Sequence, residues 1–287
     1  MASVHPLLRI VRVGNTGVSF AGTVVGGLDA AGASAALYGT FWVPVLLAAA
    51  STACVTAAGN ILNDLGDLDT DRRNHPDRPL VTGELTPNSA RRLMIVLFVT
   101  SFALIAPILL AHPALAPIWL AAIGALLAYE LRWKADGLAG NALVAFLTAA
   151  VFLYGAASQA SLLPVVSLAL MAFFATLSRE VIKDMEDAEG DVGRATLPRT
   201  HGLGVSAGMA RLAVAVAIVL SPVPLLGELS LGSAAGIMYL ALVAATDAVF
   251  VASVLSLPER LHRSQTLSKG AMTVALLAFL AFAFRGG

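Results

Sequence analysis

Four aspartates and two asparagines fall within the thirteen residues from Gly59 to Asp71. Read as a helix at about 100° per residue, Asn60, Asp64, Asp67 and Asp71 follow one another at steps of 4, 3 and 4 and form a single narrow stripe. About 120 residues later Glu180, Asp184, Asp187 and Asp191 repeat those steps. Hard cations such as Mg²⁺ take oxygen ligands, commonly one or two carboxylates with substrate phosphates completing the shell. Two such stripes could therefore hold metal ions between them and leave coordination sites for a diphosphate. Solvated loop acids paired with nearby arginines would explain either stripe alone, but not the same spacing occurring twice. Asn63, four residues before Asp67, is an alternative ligand to Asn60. Glu180 is the least suited member, because it lies deepest and can pair with Arg179 or Lys183.

Basic residues lie close to both stripes. Residues 72–80 follow the first directly and include Arg78, held between Pro76 and Pro79; arginine suits bidentate phosphate contacts and proline restricts the loop. Arg12 and Asn15 share one helix face about a turn apart, and Tyr129, Arg132 and Lys134 form a second cluster. Each cluster could also be an ordinary topology signal. The five histidines are scattered without zinc-ligand spacing, the single Cys54 excludes a disulfide framework, and no Walker-type loop is present. Gly22, Gly26 and Gly27 lie in an apolar helix and suit close helix packing better than phosphate binding.

The elements that must position these groups are membrane helices. The 287 residues are 58% hydrophobic and 13% charged, with mean hydropathy +0.83, too apolar for a soluble fold. No cleavable signal is expected at the start, where Arg9, Arg12 and Asn15 interrupt the apolar run. Spans of about 20 residues fit at 8–28, 40–63, 91–110, 114–131, 139–158, 162–183, 204–226, 231–254 and 266–284. With nine spans, 17 of the 18 basic residues fall on one side, and Arg285 lies opposite. The positive-inside rule then places the N-terminus, the charged loops and both stripes in the cytoplasm, in a multi-pass protein of the cell membrane. Asp29 and Glu228 are expected in the opposite loops, and Asp247 within the eighth span.

Asn63-Asp64-x-x-Asp67-x-x-x-Asp71, followed by Asn74-x-Pro76-x-Arg78-Pro79, resembles the first motif of the UbiA superfamily of intramembrane prenyltransferases. Residues 178–191 are similar to its second motif, and the opening Arg179-Glu180-x-x-Lys183-Asp184 resembles the digeranylgeranylglyceryl phosphate synthase branch. Tyr129 with Lys134, Gly137-Leu138-x-Gly140-Asn141, Arg12-x-x-Asn15 and Thr196-Leu197-Pro198 resemble that branch as well. The interval from Asp191 to Thr196 is shorter than the family pattern, and Arg194 stands in for a basic residue usual after the last aspartate.

The resemblance implies an all-α bundle of about nine transmembrane helices around a central cavity, with residues 1–287 as one domain. It also implies Mg²⁺ as cofactor, and a prenyl diphosphate, a lipophilic acceptor and membrane lipids as partners, with no nucleic acid. The expected metal ligands are Asn60, Asn63, Asp64, Asp67, Asp71, Asp184, Asp187 and Asp191, of which Asp67, Asp71, Asp187 and Asp191 are catalytic. The expected substrate-binding residues are Arg12, Asn15, Arg78, Tyr129, Arg132, Lys134, Asn141, Lys183 and Arg194. The implied reaction is geranylgeranyl transfer to geranylgeranylglyceryl phosphate. Prenylation of an aromatic acceptor is the alternative within the class, and an ion-coupled transporter, to which Asp247 would belong, is the alternative outside it.

Overall fold

The structure is a computed structural model that describes residues 5–134, 136–190, 195–227 and 229–285. Its helices are α1 (Pro6–Ile10), α2 (Val13–Ala31), α3 (Gly39–Gly66), α4 (Leu68–Asn74), α5 (Pro87–Ile105), α6 (Leu115–Ala128), α7 (Gly137–Ala157), α8 (Val166–Asp187), α9 (Leu197–Leu220), α10 (Val223–Gly227), α11 (Ala234–Leu255) and α12 (Leu261–Phe282). No strand occurs among the described residues, as expected where each backbone amide must find its partner within its own segment.

Among the described residues, eight helical stretches are long and apolar enough to cross a membrane, beginning with Gly39–Gly66 and ending with Leu261–Phe282. The remaining expected span is α2, 19 residues long, whose glycines, Asn15 and Asp29 dilute its hydropathy. It packs between α3, α7 and α12 and so completes a bundle of about nine long helices. Alternation of the helices gathers the charged connections, which follow α3, α6, α8 and α11, at one end of the bundle.

The structure departs from the sequence expectation at three places near helix ends. The first span does not run continuously from residue 8, because Arg12 adopts a left-handed conformation (φ 50°) that separates α1 from α2. The first acidic stripe is not one helix either. The chain bends at Asp67 (φ −93°, ψ 7°), between α3 and α4, where Gly66 and Asp67 both have low helix propensity. Asp29, expected in a loop, is fully buried in α2 near Arg285, whose guanidinium donates to the Ala30 carbonyl (3.4 Å).

Small residues set how closely the helices approach, since association within a bilayer relies on van der Waals packing more than on water exclusion. A Cβ on Gly26 would overlap the Phe152 backbone carbonyl, and one on Gly155 would overlap the Thr23 carbonyl, so α2 and α7 touch backbone to backbone. Buried hydroxyls add specific ties: Thr23 donates to Thr52 across α2 and α3 (3.0 Å), and Ser51 pairs with Tyr154 across α3 and α7 (3.2 Å). Gly26→Ala and Gly155→Ala should each destabilise the protein by about 1–3 kcal/mol through overpacking. Gly14→Ala, with open space around its Cβ direction, should not. Thermal unfolding of the three variants in one detergent checks this.

Candidate active site

The acidic end of α3 and Asp71 of α4 are contacted by a compact loop, residues 75–86. Leu80 anchors that loop in a cluster with Ile10, Ile61 and Ala90. From it Arg78 reaches inward and donates to Asp64 (3.2 Å) and to Asp71. Arg12 approaches Asp64 from the break between α1 and α2. Both carboxylates are nearly sealed from solvent, at 3% and 4% exposure, and at that depth an uncompensated charge is prohibitive. Arg78 therefore holds Asp64 and Asp71 together across the bend that separates their helices, and Arg12 adds a second guanidinium at Asp64.

Lys134 plays the corresponding part for Asp67. It follows a π-helical turn over Tyr129–Trp133 that continues α6. Its ammonium pairs with Asp67 (2.8 Å) and Glu130 (2.8 Å), donates to Asn63, and lies 6.0 Å from the Tyr129 ring centre. Gly66 leaves room for Glu130, whose carboxylate any Cβ there would meet. Seven residues after Lys134, Asn141 on α7 donates to Asp184 on α8 (2.8 Å). The segment 129–141 thus touches both acidic motifs, the first through Lys134 and the second through Asn141. The two motifs share one end of the bundle.

Other expected site residues are placed differently. Asn60 donates its amide to the Val11 carbonyl (2.9 Å) and fixes the break before α2. Asn15 is exposed and lines an open cleft of about 800 Å³ together with Leu8, Arg9, Arg12, Val13, Gly14 and Asp77. Arg132 is exposed and stacks on Trp133 (5.7 Å). Glu180 is held by Arg179, with Lys183 at 3.8 Å. Asp187 is exposed at the last residue of α8. Asp191 and Arg194 lie outside the described residues. Asp247 accepts a hydrogen bond from Ser221 (2.8 Å), which ties α11 to the end of α9.

Sequence reasoning missed Glu130, Arg9 and Glu84. Glu130 and Lys134 stand at i, i+4, the spacing of a helical ion pair, and that signal was available. Arg9 and Glu84 are 75 residues apart and carry no local signal.

Among the described residues no three acidic, histidine or cysteine side chains converge to hold a metal by themselves. Mg²⁺ needs only one or two carboxylates when a diphosphate supplies further oxygens. The all-oxygen donor set of Asp64, Asp67, Asp71, Asp184 and Asp187 fits an ion shared in that way.

The model of the UbiA prenyltransferase family matches residues 23–283. A digeranylgeranylglyceryl phosphate synthase from Methanopyrus kandleri is 36% identical over 281 residues, covering 96% of this chain and 97% of its own length. A synthase of the same name from Natronomonas pharaonis is 38% identical, over 79% of each chain. A solved structure concerned with digeranylgeranylglyceryl phosphate synthase in membranes superposes with a TM-score of 0.78, at 30% identity, over 97% of this chain and 98% of the other. A UbiA homologue from Archaeoglobus fulgidus bound to GPP and Mg²⁺ shares the fold, with a TM-score of 0.67 and 18% identity over 97% and 98% of the two chains.

Removing Lys134 leaves Glu130 and Asp67 facing each other without their shared cation. Lys134→Met should lower stability by about 3 kcal/mol, and adding Glu130→Gln should recover part of the loss. Thermal or denaturant unfolding of the single and double variants checks this.

Proposed function

The chain belongs to the UbiA prenyltransferase family, and we propose that it transfers a geranylgeranyl group from its diphosphate to the free hydroxyl of geranylgeranylglyceryl phosphate, in archaeal ether-lipid synthesis. It is an intramembrane prenyltransferase of the multi-pass class. Residues 1–287 act as one domain in this reading, in the cell membrane. The end carrying 17 of the 18 basic residues faces the cytoplasm by the positive-inside rule. The observation that carries the proposal is the meeting of Arg12, Arg78 and Lys134 with the aspartates of the first motif, while Asn141 brings in the second.

In the reaction the allylic C–O bond of the donor breaks, and its electron pair leaves with the diphosphate. The acceptor's hydroxyl oxygen forms the new C–O bond, and its proton passes to a carboxylate or to the departing diphosphate. Oxygens of Asp64, Asp67, Asp71, Asp184, Asp187 and Asp191, with Asn63 and the amide oxygen of Asn60 as further donors, would hold Mg²⁺, which would neutralise charge on the leaving group. Arg78 and Arg12 present guanidinium forks suited to phosphate oxygens, and Lys134 adds a compact third cation. Lys183, within the second motif, would serve the same purpose, as would Arg194, which lies outside the described residues. Tyr129, Arg132, Asn141 and Asn15 complete the substrate-binding set. The helices behind the aspartates are apolar, so the prenyl chain is held where burial is worth about 0.8 kcal/mol per CH₂, and water is kept from the developing allylic cation.

Purified protein should transfer the prenyl group to geranylgeranylglyceryl phosphate, and chelation of Mg²⁺ should stop turnover. Transfer to an aromatic acid alone would overturn the acceptor assignment. Asp67→Ala and Asp187→Ala should each reduce kcat/KM by roughly 10³-fold, or about 4 kcal/mol, with the thermal unfolding transition retained. Near-normal turnover by either variant would count against the shared-metal site.

A further inference from the structure

Arg9 lies on α1, outside both acidic motifs, yet its guanidinium grips the loop that carries Arg78. Nη1 donates to both carboxylate oxygens of Glu84 (2.9 and 3.1 Å), and Nη2 donates to the backbone carbonyl of Asp77. Thr82 Oγ1 donates to the same Glu84 carboxylate (2.8 Å). The loop closes on itself as well: the Arg78 carbonyl accepts from the amides of Val81 and Thr82, and the Pro79 carbonyl accepts from Leu85.

Loop 75–86 is therefore fastened at three points. Leu80 is buried beneath it, Arg78 is paired with Asp64 and Asp71, and Arg9 holds its outer edge at Glu84 and at the residue immediately before Arg78. Both inner ion pairs are made through Nη1 of Arg78, so the other N–H groups of its guanidinium are the ones that can meet an incoming diphosphate. The outer fastening involves none of those groups and can persist throughout. The hydrogen bond from Thr82 and the bonds and charge of Arg9 hold the Glu84 carboxyl below its usual range. Its contribution is thus present above the ordinary carboxylate pKa and is lost only as pH falls through the lowered value.

We propose that Arg9 and Glu84 form a clasp that keeps loop 75–86 seated, so that Arg78 is poised for the donor diphosphate; both are positioning residues. This rests on the reading of Arg78 as a diphosphate ligand. Bound substrate itself holds the loop, so the clasp governs the fraction of ligand-free molecules that are ready to bind. Apparent affinity falls by that fraction while the rate at saturation does not.

Hydrogen exchange of amides 75–86 in ligand-free protein tests the clasp without reference to catalysis. Glu84→Gln and Arg9→Gln should speed exchange in that loop and leave α7 and α8 unchanged. With geranylgeranyl diphosphate as donor, KM should rise about three- to tenfold with kcat within about twofold. The charge swap Arg9→Glu with Glu84→Arg should recover part of both effects. Unchanged loop exchange overturns the clasp, as does a loss confined to kcat or a swap no better than the single variants. If the wild-type protein transfers no prenyl group, the functional reading falls, and loop exchange alone then decides the clasp.

Discussion

Carboxylates cannot be buried at the edge of a bilayer without cations within reach, and this constraint organises one end of the molecule. Asp64 and Asp71 are almost sealed from solvent, so their charges survive only because Arg12 and Arg78 are brought against them. Each cation is delivered by an irregular element. Arg12 occupies a left-handed backbone position that costs roughly 1–2 kcal/mol for a non-glycine residue. Arg78 comes from the loop after α4, and Lys134 from the end of a π-helical turn, a distortion frequently found at functional sites.

The regular helices supply the rigidity that these irregular elements need. Backbone contact between α2 and α7 at Gly26 and Gly155 fixes the helix that begins at Arg12 relative to the helix that carries Asn141. At the charged end the same device recurs on a smaller scale, where the missing side chain of Gly66 admits Glu130, which shares Lys134 with Asp67. Glycine serves packing in both places, one deep in the bundle and one at the site.

The resulting network is close to balanced in charge before any substrate arrives. Its cations Arg12, Arg78 and Lys134 are already seated against the aspartates, so in the proposed reaction the charged groups are in place beforehand. Charge stabilisation of a leaving group is most effective when donors need little reorganisation at the moment of reaction. The helices that carry the aspartates continue into apolar segments long enough to cross a membrane, so the charged end adjoins a hydrocarbon-compatible interior.

Much of this was legible in the sequence. Hydropathy and charge asymmetry determined the membrane class, the approximate helix number and the end at which the charges gather, since bilayer thickness and charge transfer act on local composition. The doubled 4-3-4 spacing marks the acidic motifs, and Gly22, Gly26 and Gly27 in an apolar helix signal close packing, which Gly26 makes against the Phe152 backbone. Tertiary structure alone decided the rest: the bend at Asp67, the diversion of Asn60 to the Val11 carbonyl, the burial of Asp29 and the pairing of Arg9 with Glu84. Those features depend on which distant groups meet, and periodicity along one helix carries no information about a partner 49 or 75 residues away.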